Sequence, residues 1–208
     1  MKISRTIVLY THQIFKKLRE HLNFLNNLYA KGYLDYKRVD YCEDIKFYGK
    51  PRLQFGKNCQ IHIGQSFICR SGQFTTLDNG AYSSILLFDN ARLSIGDFSG
   101  MTNTIIVSKH SITIGNYVNI GNGTILLDSD LHSLNWQIRS DRSIDSSHSS
   151  NKPIVIGDNV FIGMRSMILK GVTIGDKSIV AAGSVVTCDI PSGEIWGGNP
   201  AKMIKKIL

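Results

Sequence analysis

From Ile156 to Val186 an aliphatic residue recurs at every sixth position: Ile156, Ile162, Ile168, Ile174, Val180 and Val186. A helix repeats at about 3.6 residues and a strand at two, so neither predicts this beat; a coil of three short flat faces, about six residues to each, does. The same beat sounds upstream at Ile114, Ile120 and Leu126. Glycine often follows the aliphatic residue (Gly115, Gly121, Gly157, Gly163, Gly175), which predicts a tight corner taken again and again. A second row lies two residues earlier, at Ile112, Val118 and Thr124, then Ile154, Val160, Ser166, Val172, Ser178 and Ser184. Each face therefore carries two inward positions, the second small or branched. The spacing predicts an all-β chain wound as a parallel β-helix.

Outside the repeat the pattern changes. From Ser4 to about Ala30 the apolar residues Ile7, Ile14, Leu18, Leu25 and Tyr29 recur at helical spacing, and Gly32 is placed to end the segment. Such a helix either covers the open end of the coil, where unpaired backbone would face water, or lies on an anionic membrane surface. Residues 33–110 carry the repeat out of phase, at Ile63-Gly64 and Ile95-Gly96. Residues 129–152 hold eight serines and no six-residue beat; they leave the coil after Asp128 and rejoin it at Pro153. Long loops in compact folds usually carry function. The chain divides into a helix and cap (1–48), a coil of roughly six turns (49–190), and a tail (191–208). In the tail, Asn199 as N-cap and Pro200 at the first position predict a short final helix.

At 208 residues and 42% hydrophobic composition the chain can bury one core with attachments. Its net charge of +8 raises nucleic acid as a partner, and the distribution argues against it. Residues 1–50 hold ten Lys/Arg against five Asp/Glu, residues 51–201 balance at eleven of each, and the last seven residues add Lys202, Lys205 and Lys206. Basic ends on a neutral middle suit phosphate groups or a membrane surface better than a nucleic-acid groove. Cys42, Cys59, Cys69 and Cys188 form no metal-type spacing and read as free thiols of a reducing compartment, the cytoplasm. No apolar run reaches the length of a membrane span.

With these motifs the chain resembles the hexapeptide-repeat acyltransferases, and among them the maltose- and galactoside-type sugar O-acetyltransferases and their relatives in bacterial polysaccharide synthesis. The resemblance covers about residues 50–208. It rests on the repeat blocks, Asp-Ser-Asp-Leu-His at 128–132, Ala-Ala-Gly-Ser-Val-Val-Thr at 181–187 and Gly-Asn-Pro-Ala-Lys at 198–202. It implies a left-handed coil, a homotrimer, acetyl-CoA as co-substrate without a metal, and a sugar or glycan acceptor. His132 stands where coil gives way to loop, and the resemblance implies that it is the general base. An imidazole, ordinarily near pKa 6.5, suits that task, because a neutral hydroxyl attacks a thioester poorly until its proton is accepted.

By the same resemblance Asn103 aligns with an acceptor-binding asparagine; the alternative is a turn asparagine. Asp130, two residues before His132, would share its side of an extended segment and meet the imidazole or the acceptor, although galactoside-type members lack this acid. Arg139 on the loop could reach an acidic sugar or a neighbouring subunit. On the donor side the resemblance places the pantetheine arm along main-chain groups at Met164 and Ala182. Thr187 and Cys188 fall nearer the nucleotide, and Lys202 and Lys205, on one face of the final helix, meet phosphates.

Three rival readings remain. N-acylation of an amino sugar uses the same base and groove. A metal-dependent hydratase on the same coil needs three converging histidines, and the chain has no close pair of coil histidines. A non-catalytic scaffold predicts no binding of CoA.

Overall fold

The computed structural model describes residues 5–72, 75 and 81–207, with side chains from residue 11 onward. Helix α1 spans Arg5–Tyr36, and the chain then winds into a three-sided parallel coil whose faces are sheets of six, eight and six strands. The first face stacks, in order, Asp40–Tyr41, Gln60–Ile63, Arg92–Ile95, Ser111–Ile114, Ile154–Ile156 and Thr173–Ile174. The second runs from Lys46–Tyr48 through Gly100–Thr102 and Phe161–Ile162 to Glu194–Gly198. The third runs from Arg52–Phe55 through Ile105–Ser108 and Ile125–Leu127 to Val185–Val186. Strand neighbours such as Ile112 and Ile154, or Leu126 and Ile168, sit in direct parallel register. This is a left-handed parallel β-helix.

The six-residue row forms the core: Ile156, Ile162, Ile168, Ile174, Val180 and Val186 are all buried. The second row is buried too, and its hydroxyls pair with backbone inside the column. Ser184 Oγ donates to Ala181 O at 2.6 Å, Ser166 Oγ to Gly163 O at 2.8 Å, and Ser178 Oγ to Pro191 O at 2.7 Å. A buried hydroxyl that keeps a hydrogen bond avoids the desolvation cost that would otherwise exclude it.

The repeat glycines serve a different purpose from the one their position suggests. The left-handed corner conformation falls on Asn58, Asn90, Tyr117, Asn159 and Lys177, all with φ between 55° and 65°. Gly121 and Gly115 instead lie where the next turn passes close above. A Cβ on Gly121 would stand 2.6 Å from Met164 N, and one on Gly115 would stand 2.7 Å from Gly157 C. The spacing between stacked turns, and not corner torsion, selects glycine there. Beside these glycines a carboxylate and amide ladder ties turn to turn. Asp97 Oδ1 accepts from Gln65 N (2.9 Å), Asn116 Oδ1 from Asp97 N (2.8 Å), Asp158 Oδ1 from Asn116 N (2.7 Å) and Asp176 Oδ1 from Asp158 N (2.8 Å).

Both ends depart from the sequence reading. Gly32 does not stop α1, which continues to Tyr36 because Ala30 and Leu34 bury into the core and Tyr33 packs edge-on against Phe55. Ser4 and the side chain of Ile7 lie outside the described residues. The coil starts by Asp40, inside the segment assigned to the cap. Asn27 Oδ1 accepts from Phe47 N at 2.9 Å and Asn23 Oδ1 from Gly49 N at 3.2 Å, so the end of α1 does cover the open edge of the second face.

The expected final helix is absent. Ala201–Lys206 is a strand, antiparallel to Glu194–Gly198, and a cis Asn199-Pro200 peptide lies in the turn between them. So short a helix is marginal alone, whereas the edge of the second face offers a ladder of backbone partners. Glu194–Gly198 pairs in turn with Ile179–Val180, so the second face extends past residue 190.

Candidate active site

The excursion leaves the third face after Ile125–Leu127 and is closed at its base by an antiparallel bridge between Ser129 and Asn151. Asp128, fully buried, builds the exit: its carboxylate accepts from Ser108 Oγ (2.6 Å), Lys109 N (2.8 Å) and His110 N (2.9 Å) of the preceding turn. Lys109 reaches up to the loop, its Nζ donating to Ser146 Oγ at 2.9 Å and Ser149 Oγ at 2.8 Å; burial lowers its pKa. Within the loop a short helix α2, Trp136–Arg139, is capped by Asn135, whose Oδ1 accepts from Gln137 N. The loop is thus a structured appendage fixed to a rigid coil.

At its centre His132 Nδ1 lies 2.6 Å from Asp145 Oδ2, and Asp145 Oδ1 accepts from Ser133 N at 2.7 Å. The two ends of the pair differ in exposure: 68% of the His132 side chain is accessible against 11% of Asp145. The His132 hydrogen bond, and then the Ser133 N–H, hold the Asp145 carboxyl below the usual carboxylate range. An ionised carboxylate is acceptor-only, so it draws the Nδ1 proton and leaves the Nε2 lone pair for chemistry. Asp145 escaped the sequence reading. It is one of three acids in a stretch with no periodicity, and thirteen residues separate it from its partner.

Asp130 does not join this pair. Leu131 adopts φ 61°, which breaks the extended geometry needed to put residues 130 and 132 on one side. The Asp130 carboxylate pairs instead with Lys170 at 3.0 Å, leaving Oδ2 buried without a hydrogen-bond partner. With Lys170, Ser129, Thr187, Leu127 and Leu169 it lines a cleft of about 350 Å³ on the third face. That cleft joins one acceptor-side and one donor-side residue of the sequence reading.

Asn103 lies elsewhere. Buried with φ 44°, it accepts from Gly72 N at 2.8 Å and donates to Thr75 Oγ1 at 3.2 Å, which makes it a corner asparagine occupied by the fold. Arg139 turns back on its own loop, Nη1 donating to Ser133 O at 2.9 Å. On the donor side the Met164 carbonyl already accepts from Gly183 N, while Ala182, Thr187 and Cys188 are exposed. Lys202 and Lys205 are exposed too, but they stand on the edge strand opposite Gly197 and Ile195 and share no helical face.

A second histidine pair occupies the first face. His62 Nδ1 lies 2.6 Å from Asp40 Oδ2 across neighbouring strands, with side chains 51% and 79% accessible. His62 also lines a groove of about 530 Å³ with Gln60, Arg92, Ser94 and His110. Among the described residues no group of three or more His, Cys, Asp or Glu side chains is arranged to hold a metal ion.

Residues 153–188 match the family model described as the hexapeptide repeat of succinyl-transferase. The galactoside O-acetyltransferase of Escherichia coli is 37% identical over 111 residues, covering 53% of this chain and 52% of that protein. A 2,3,4,5-tetrahydropyridine-2,6-dicarboxylate N-acetyltransferase of Staphylococcus aureus is 49% identical over 57 residues, 27% of this chain and 24% of the relative. The chain therefore spans about half the length, or less, of these curated relatives. A hexapeptide-repeat acetyltransferase of Vibrio cholerae, solved with acetyl coenzyme A, aligns over 93% of this chain and 88% of its own at 27% identity, with a TM-score of 0.54. In its repeat and in its coil the chain is similar to hexapeptide-repeat acetyltransferases.

Proposed function

We propose that this protein transfers an acetyl group from acetyl-CoA to a hydroxyl of a sugar or glycan, with His132 as general base. The observation that carries the reading is the His132–Asp145 pair. Its carboxylate is buried and doubly bonded, its imidazole is exposed, and both sit on a loop anchored to the coil. His132 Nε2 takes the acceptor proton while the hydroxyl oxygen attacks the thioester carbonyl. The C–S bond then breaks, and the imidazolium returns its proton to the departing CoA thiolate. Atoms and charge balance without a covalent enzyme intermediate. Asp145 stabilises the imidazolium that forms and holds the ring at one angle.

Asp130 and Lys170 serve the acceptor side of the cleft, the free Asp130 oxygen accepting from a sugar hydroxyl. The Met164 and Ala182 main chain, with Thr187 and Cys188, lines the path of the pantetheine arm, and Lys202 and Lys205 attract the CoA phosphates as point charges. The assembly in this reading is a homotrimer, with the donor and acceptor completed between neighbouring coils, which the likeness to hexapeptide-repeat acyltransferases supports. Four free cysteines suit the reducing cytoplasm, and bacterial polysaccharide synthesis is the setting the resemblance implies.

The N-acetyltransferase relative favours a second reading, transfer to an amine. Calorimetry with CoA, followed by mass spectrometry of products from a matched pair of acceptors, a galactoside and its 2-amino counterpart, separates the possibilities. The proposal expects CoA binding and an O-acetyl product. Acetylation confined to nitrogen would assign the chain to the second reading, and no CoA binding would leave a scaffold.

A further inference from the structure

Helix α1 presents a second surface that acetyl transfer does not use. Its thirty-two residues extend about 48 Å at 1.5 Å per residue, and its contacts with the coil fall in the C-terminal half, from Asn23 onward. The contact seam is Asn23, Asn27, Ala30 and Leu34. At about 100° per residue, Ile14, Leu18, Leu22, Leu25 and Tyr29 fall in one sector about 80° wide, centred roughly 150° round the helix from that seam. All five are exposed, as are Phe15 and Leu28 on the borders of the sector. The apolar stripe is therefore aimed away from the coil along Ile14, Leu18, Leu22 and Leu25, while at its C-terminal end Lys50 Nζ of the coil sits 4.4 Å from the centre of the Tyr29 ring.

Two occupants fit an apolar helix face, a second helix or a lipid surface. A helical partner would need a narrow heptad seam sustained over at least three to four repeats. Following the seam through Ile14, Leu18, Leu25 and Leu28 places Thr11, His21 and Gly32 at core positions, so the pattern holds for about two repeats. The stripe is instead broad, and cations border it: Lys17 on one side, Arg19 on the other, with Lys16 beyond, and residues 11–29 hold one acid, Glu20. A broad apolar sector rimmed by long basic side chains is the arrangement of a helix lying in the interface of an anionic bilayer. The apolar face enters the acyl boundary while the cations meet headgroup phosphates. Among the described residues no helix is long and apolar enough to cross a membrane, so contact would be peripheral.

We infer that α1 is a membrane-surface anchor specific for anionic lipid, with Ile14, Leu18, Leu22 and Leu25 as the inserted residues. The test is co-sedimentation of the full chain with vesicles of phosphatidylcholine alone and of phosphatidylcholine mixed with phosphatidylglycerol. Equilibrium sedimentation of the same samples without lipid runs beside it. The inference expects binding to the mixed vesicles only, weakened by high salt, reduced about fivefold by Lys17→Gln and lost in a Leu18→Glu/Leu25→Glu variant that keeps its oligomeric state. Equal retention on both vesicles, or none, would overturn it. Dissociation of the lipid-free assembly by Leu18→Glu/Leu25→Glu would assign the stripe to a second copy and overturn it likewise.

Discussion

Two histidines in this molecule meet a carboxylate at the same 2.6 Å, and their surroundings differ in every other respect. His62 and Asp40 face each other across two strands at the solvent surface, the carboxylate mostly in water with its other oxygen free to hydrate. Asp145 is enclosed by its loop, also accepts the Ser133 N–H, and leaves only the imidazole exposed. Distance alone does not make a catalytic pair. A carboxylate orients a base when its own position is fixed by further bonds, and a pair of exposed side chains is worth little because water competes for both partners.

That contrast can be broken most sharply by removing each imidazole. His132→Ala should lower acetyl transfer by at least the roughly hundredfold contribution of a positioned general base, whereas His62→Ala should leave the rate within about twofold. Steady-state release of CoA thiol checks both; a comparable loss in the two variants would merge the pairs. Removing charge from the carboxylates is the next step down. Asp145→Asn should cost about tenfold or more in kcat with little change in KM for acetyl-CoA, and Asp40→Asn should cost nothing measurable.

A pH series sharpens the same point. Asp145 is held below its ordinary carboxylate pKa, so its stabilising contribution is present above the unfolded value near 4 and is lost as pH falls through the lower folded value. Protease cleavage within residues 133–148 should therefore stay constant from neutrality to about pH 5 and rise only below about pH 4. In Asp145→Asn it should be raised at every pH. The smallest effect is expected for Asp40→Asn on folding, a shift in Tm of no more than about 2 °C, read by thermal melt.

The coil was legible because its signal is redundant. Each turn repeats the demand for an inward Ile or Val at the sixth position and a small hydroxyl or branched residue two places earlier, so single exceptions do not hide it. The excursion was legible as the place where that demand stops. Its contents were not, since the union of His132 with Asp145 depends on the path of a loop without a period. The imidazole contact expected as one alternative for Asp130 fails for a related reason: the left-handed turn at Leu131 leaves no mark in residue type. The repeat glycines were visible, but their cause is contact between turns distant in sequence, which spacing cannot reveal. At the C-terminus a helix-start signal lost to strand pairing, a tertiary choice offered by the open edge of the second face.

The most direct measurement is a crystal structure with CoA and a galactoside bound. The account predicts the pantetheine sulfur and one acceptor hydroxyl within about 3.5 Å of the space in front of His132 Nε2, with Asp145 still on Nδ1. A CoA molecule lying on the first face beside His62, or a sulfur beyond reach of the His132 ring, would contradict it.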